Sequence, residues 1–130
     1  MITGTLKVFA VALFFASSAV AQEPIITSLF ETDLPDLPDR EGLMASVELP
    51  PGASMPAHRH DANTFVYVLS GSVVMQVKGG ERTVLNAGGT FYESPDSIHT
   101  VTMNESNTDP ARLLVVFIKH KGAPVTEYTQ

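Results

Sequence analysis

The chain contains no cysteine among its 130 residues, and its basic residues are few. Without cysteine, disulfide bridges and thiolate metal ligands are both excluded, so a metal site must use imidazole, carboxylate, amide or water. Lysine and arginine number 8 against 14 aspartates and glutamates, which gives a formal net charge of −6. The basic residues are also scattered along the chain. No nucleic-acid partner is expected, because phosphates require clustered positive charge.

Long apolar runs are absent except at the N-terminus. There Lys7 precedes an apolar run over residues 8–16, and Ala19-Val20-Ala21 has the small-x-small pattern of a signal-peptidase site. The run is shorter than the roughly 20 apolar residues of a membrane span. Residues 1–21 are therefore predicted to be a signal peptide of a secreted or periplasmic protein, with no membrane association after cleavage. A retained membrane anchor is the alternative.

Residues 22–42 are rich in proline and acidic side chains, which predicts an N-terminal arm. Within this arm, the apolar residues 25–30 are expected to pair along a sheet edge, either in the same chain or on a partner subunit. A homodimer is one expected outcome of such pairing. Residues 32–42 fit a solvated acidic linker equally well.

Helical periodicity is absent from the rest of the chain, where short apolar runs alternate with glycine and proline turns. Gly79-Gly80 separates two alternating runs and predicts a tight two-residue hairpin. The pattern predicts an all-β domain over residues 43–120, either a small barrel or a two-sheet sandwich, and a C-terminal tail over residues 121–130. The predicted strands cover residues 43–49, 64–69, 73–78, 81–85, 90–92, 99–103 and 113–118.

Three of the four histidines fall in two short segments. His58 and His60 are separated by one residue, so on a strand both would point to the same face while Arg59 points away. Two imidazoles on one face can approach a common ion. The fourth histidine, His120, is expected to be solvated.

The segment around the first pair resembles the first motif of the cupin superfamily. In this sequence Gly52 is followed after five residues by His58-Arg59-His60, and Gly71 ends the motif. One motif position differs, because Thr64 stands where the family has glutamate.

A second segment resembles the second cupin motif. Gly89 is followed after five residues by Pro95-Asp96-Ser97, with Ser97 in place of a glycine. His99 lies one residue earlier than the family pattern places it, and Asn104 lies five residues beyond it. Together the motifs resemble small single-domain cupin type-2 proteins, many of them exported, over residues 43–118. The resemblance implies a double-stranded β-helix, or jelly-roll barrel.

The same resemblance implies a metal site in which His58, His60 and His99 bind one divalent ion. The ion is left open among iron, manganese, zinc, copper and nickel, since imidazole suits several of them. Thr64 is a poor ligand, so a three-histidine shell that favours a chelating anion is expected. A further ligand would come from Glu93, ahead of Asp61 or Gln76, although an outward-facing Glu93 is the default interpretation.

Two functions follow from the resemblance. The first is a metal-dependent oxidoreductase of dioxygenase type, acting on a small oxygenated or aromatic compound. The alternative is a non-catalytic module that binds a metal or a small ligand. A structural barrel without metal is a third and weaker hypothesis. A closed pocket of about 300 Å³ or more would favour the enzyme, and a filled barrel mouth the binding module. Metal loading is expected to fail below about pH 6.5, where histidine takes up a proton.

Overall fold

The computed structural model describes residues 22–129, which fold into two antiparallel five-stranded sheets. The predicted signal peptide over residues 1–21 lies outside the described residues. None of the described residues forms a helix long and apolar enough to cross a membrane. The strands are β1 (Ile25–Asp33), β2 (Arg40–Leu49), β3 (His58–Arg59), β4 (Ala62–Ser70), β5 (Ser72–Val77), β6 (Thr83–Asn86), β7 (Thr90–Glu93), β8 (Ile98–Asn104), β9 (Ala111–His120) and β10 (Glu127–Tyr128).

The strand order is β1-β2-β9-β4-β7 in one sheet and β10-β3-β8-β5-β6 in the other. Alternate residues of β2, β4 and β9 are buried, as the two-residue period of a half-buried strand requires. Their apolar side chains, among them Leu49 and Val68 at 0% exposure, form the core between the sheets. The predicted all-β jelly-roll fold is confirmed.

The N-terminal arm contributes a strand to the same chain. β1 pairs antiparallel with β2 at the sheet edge, so the predicted edge pairing occurs in cis. β2 begins at Arg40, and the predicted boundary between arm and domain at residue 43 therefore falls inside a strand.

The predicted tight hairpin at Gly79-Gly80 is wrong. β5 ends at Val77 and β6 begins only at Thr83, so a longer loop joins them. Gly79 has a φ of 81°, whereas Gly80 is not among the positive-φ glycines. A type I′ hairpin needs positive φ at both central positions, which this loop does not supply.

An apolar row crosses the outer face of the first sheet. Phe30, Met44, Val116, Phe65 and Tyr92 are successive partners across β1, β2, β9, β4 and β7. Phe65 is 48% exposed and lies outside the core. The expected homodimer stays a prediction.

Candidate metal centre

The three predicted histidines lie together inside the barrel. β3 pairs with β8 so that His58 is directly opposite His99, and His60 follows β3. The ring centroid of His58 lies 5.0 Å from those of both His60 and His99, and the latter two are 5.8 Å apart. All three side chains are buried, whereas Arg59 points outward as predicted. The fold therefore brings together the histidines that the motifs single out.

A β-bulge explains the shifted second motif. On β8, His99 pairs with Val77 and Val101 pairs with Gln76, which leaves Thr100 as an extra residue. The bulge allows His99 and Thr102 both to face the interior although they are three residues apart. The residue inserted after His99 compensates for the one missing before it.

Asn104 then occupies the expected motif-ending position. Its Nδ2 donates to the backbone oxygens of Leu49, Pro50 and Asp109 at 2.8–3.1 Å. This buried amide ties the end of β2 to the loop that follows β8.

Glu93 is buried within the histidine cluster. Glu93 is the last residue of β7 and is only 2% exposed. The default interpretation of Glu93 as an outward-facing residue is therefore wrong. Oε2 of Glu93 lies 2.7 Å from Nε2 of His99 and 3.6 Å from Nε2 of His60. The ladder between β4 and β7 pairs Glu93 directly with Thr64, which is fully buried. The carboxylate thus stands one strand away from the position where the family has glutamate.

The sequence contains a signal that the Glu93 side chain faces the interior of the barrel. Phe91 is an apolar residue expected to face the barrel, and a side chain two residues further along a strand shares its face. The structure shows Phe91 partly buried and Glu93 buried, with Tyr92 exposed between them. Asp61 is exposed, and Gln76 donates to the backbone oxygen of Gly80, so neither is a comparable candidate.

Backbone carbonyls orient two of the imidazoles. Nδ1 of His58 donates to the oxygen of Pro56 at 2.8 Å, and Nδ1 of His60 donates to that of Val125 at 2.6 Å. A carbonyl only accepts, so Nδ1 carries the proton and Nε2 of each ring has a free lone pair. Metal-binding histidines are commonly held in this way.

The carbonyl that holds His60 belongs to the predicted C-terminal tail, which is ordered against the barrel. We call residues 123–129 the closing segment. It includes β10, which pairs with β3, and its Ala123 oxygen accepts from Nζ of the buried Lys119 at 3.0 Å. Lys119 also donates to Glu41, and this hydrogen bond lowers the pKa of Glu41. Sequence reasoning missed this segment, since nothing local in residues 121–130 marks it.

Burial keeps His58 and His60 neutral. It lowers the pKa of His58 from 6.5 to about 4 and shifts the pKa of His60 in the same direction. Both are ready to bind a metal at neutral pH without losing a proton. The expectation that loading fails near pH 6.5 is therefore revised towards lower pH.

We expect the metal-free protein to lose stability as the pH falls from 6.5 towards 4. The unfolded chain protonates His58 near pH 6.5 while the folded chain does not, so acid favours unfolding. From the lowered pKa, the loss between pH 7 and pH 5 is on the order of 2 kcal/mol. Urea denaturation at the two pH values measures it. A loss of the same size in a His58→Gln variant would contradict this assignment, whereas replacing the exposed His120 with glutamine should leave it unchanged.

The interior beside these groups is narrow. A cavity of about 40 Å³ is lined by His58, His60 and Glu93, together with Thr102 and apolar side chains that include Met55 and Met75. This volume is far below the roughly 300 Å³ of ordinary small-molecule sites. Among residues 22–129, no lysine or arginine lines the cavity.

The donor set fits a divalent ion, although the shell is not fully formed. Five buried polar atoms lack a hydrogen-bond partner in the described region: Thr64 Oγ1, Glu93 Oε2, His99 Nδ1, His99 Nε2 and Thr102 Oγ1. The 2.7 Å contact of Glu93 with His99 is thus close without the alignment of a hydrogen bond. Such groups are costly to bury unpaired, and a cation would satisfy several of them.

The spacing of these donors is near that of metal ligands. Neighbouring ligand atoms that each lie about 2.1 Å from one ion are roughly 3.0–3.4 Å apart. The distances from Glu93 Oε2 to Nε2 of His99 and of His60, 2.7 and 3.6 Å, lie on either side of this range. Within residues 22–129, however, no three such side chains converge on one point as a complete shell. Binding an ion therefore requires these side chains to move.

Comparison with known proteins agrees with this architecture. Residues 45–117, more than half of the chain, match the family described as "Cupin domain". No curated protein shows significant sequence similarity to the chain.

Several solved structures share the fold. An uncharacterised double-stranded β-helix protein from Klebsiella pneumoniae is 22% identical, with 85% of this chain and 88% of that chain covered and a TM-score of 0.63. Oxalate oxidase in complex with glycolate is 23% identical, with 82% and 55% covered and a TM-score of 0.62. A DMSP lyase from Ruegeria pomeroyi is 20% identical, with a TM-score of 0.59; 68% of this chain is covered, and it spans only 43% of the lyase. At these identities the likeness shows the fold alone.

Proposed function

Because this chain belongs to the cupin family, we propose that it binds one divalent metal ion through His58, His60, His99 and Glu93. The observation that carries the proposal is the burial of the Glu93 carboxylate against His60 and His99. One carboxylate would leave a single positive charge on a divalent centre. The expected three-histidine shell with its full charge thus becomes a shell of three histidines and one glutamate, and Thr64 is left out of it.

Each protein group has a distinct part in this site. His58 and His60 present Nε2 because backbone carbonyls hold their Nδ1 atoms. Glu93 would offset part of the positive charge of the ion, and the apolar side chains that line the cavity limit access by water. A bound ion would polarise an oxygen ligand or position a substrate beside dioxygen. The reaction we propose is an oxidation of a very small oxygenated compound; an aromatic substrate does not fit a cavity of about 40 Å³.

A non-catalytic metal- or ligand-binding module is the second candidate. The small cavity favours it, because most enzymes that act on metabolites enclose far more space. Oxygen uptake by the metal-replete protein distinguishes the two. Turnover with a small oxygenated compound supports the enzyme, and its absence across such compounds supports the module.

Metal analysis tests the site itself. The purified full chain, exchanged separately with zinc, iron(II), manganese, copper and nickel, is expected to retain one equivalent of at least one metal by mass spectrometry. Replacing His58 or His99 with alanine should abolish retention, since each removes an imidazole ligand. His120→Ala is the matched control, because His120 is exposed on β9. Full retention by the His58 and His99 variants would contradict the proposed site.

We also propose export, with cleavage after Ala21, on the strength of the N-terminal sequence pattern. Outside the cytoplasm, copper and zinc are the expected metals, given their affinity order. N-terminal sequencing of protein from the periplasm or the medium would test cleavage.

A further inference from the structure

Resting on the proposed metal site, we propose that Thr102 hydrogen-bonds the exchangeable ligand of the ion, and that this ligand is a small monovalent anion of a few heavy atoms. Three independent features of the cavity support this inference. They are an unpaired hydroxyl, a small volume and a lining that contains no lysine or arginine among the described residues.

The hydroxyl of Thr102 is buried in the cavity and has no hydrogen-bond partner. Thr102 is 5% exposed, lines the cavity beside His58, His60 and Glu93, and its Oγ1 has no partner. Its backbone is fixed, because its oxygen accepts from the amide of Met55 at 2.9 Å and β5 pairs with it through Met75. A hydroxyl can donate and accept, so it suits an oxygen or nitrogen atom of a bound ligand.

The volume of the cavity sets the size of that ligand. About 40 Å³ accommodates a few water-sized groups. Azide and formate, with three heavy atoms each, are of this size. A benzoate ring is not, and it would require the packed side chains around the cavity to move.

Charge sets the class of the ligand. With Glu93 bound, a divalent ion keeps one positive charge, which a monovalent anion neutralises. In the part of the chain that the structure describes, no lysine or arginine lines the cavity to balance a second negative charge. A dianion would leave uncompensated charge in an apolar cavity, which is unfavourable. The anion expected from Thr64 alone is thereby limited to a small monovalent one.

Cobalt(II) offers a spectroscopic test with the full-length chain. Cobalt affinity is measured first, and azide, formate, oxalate and benzoate are then titrated while the visible absorption of the cobalt is followed. We expect azide and formate to bind at least about 10-fold more tightly than oxalate or benzoate. Thr102→Val, which removes the hydroxyl and keeps the branched shape, should weaken azide about 3- to 10-fold and leave cobalt affinity unchanged.

The control lies on the same strand. Thr100 is exposed at the bulge and its hydroxyl donates to the oxygen of Gln76, so Thr100→Val should change neither affinity. Equal binding of oxalate or benzoate, or unchanged azide affinity in the Thr102 variant, would overturn this inference while leaving the metal site intact. Failure of the unmodified chain to bind cobalt would overturn the proposed site too, and it is visible before any anion is added.

Discussion

Replacing Glu93 with threonine is expected to lower the affinity for divalent metal by about 100-fold or more. Losing a group that merely orients a metal ligand costs roughly 10- to 100-fold, and Glu93 is proposed to bind the ion directly. Its loss removes the only carboxylate that contacts His60 and His99 within residues 22–129. The remaining shell would carry the full charge of the ion in an apolar interior, which is unfavourable.

Adding Thr64→Glu to that variant is expected to restore most of the lost affinity. Thr64 and Glu93 are direct partners on neighbouring strands, and both side chains are buried on the same face. Partners across an antiparallel ladder have Cβ atoms about 5 Å apart, so a glutamate at either position reaches the same region. The double variant returns the carboxylate to the position that the cupin motif assigns to it.

Isothermal titration of the metal-free proteins measures these changes. Glu81→Thr is the matched control, because Glu81 is exposed and lies outside the barrel, and its metal affinity should be unchanged. A Glu93→Thr variant that binds metal as tightly as the unmodified chain would show that Glu93 is not a ligand. Failure of the double variant alone would show that the ion depends on the β7 position.

Patterns between neighbours in the sequence predicted the fold and the shared face of His58 and His60. The alternation of residues 43–49 gives a strand with one buried face, and the structure has that face in the core. The spacing of His58 and His60 predicts that the two rings share a face, and both are buried in the structure. These predictions succeeded because the period of a strand fixes side-chain direction within a few residues.

Features that depend on pairing between distant residues were not predictable in the same way. The role of Glu93 depends on β7 lying beside β4 in one register, since a shift of one residue would turn it outward. The orientation of His60 depends on the oxygen of Val125, which is 65 residues away in the sequence. Backbone carbonyls carry no signature in the sequence, so the importance of the closing segment emerged only from the structure.

Truncation after Gly122 is expected to lower metal affinity roughly 10- to 100-fold without preventing the barrel from folding. The deletion removes the Val125 oxygen that holds Nδ1 of His60 and the side chains of Val125 and Thr126 that line the cavity. His60 would then rotate more freely, and its Nε2 would be presented to the ion for less of the time. All strands except the two-residue β10 are retained, so the core between the sheets should stay intact.

The measurement combines metal titration with circular dichroism. Glu127→Gln is the control, because it breaks only the salt bridge between Arg59 and Glu127 at the surface and leaves Val125 in place. That variant should bind metal like the unmodified chain. If the truncated protein keeps both its β-sheet spectrum and its full metal affinity, the closing segment does not position His60. If affinity falls while the spectrum is unchanged, the closing segment positions the metal-binding histidines, through Val125 at His60 and through the pairing of Tyr128 with His58.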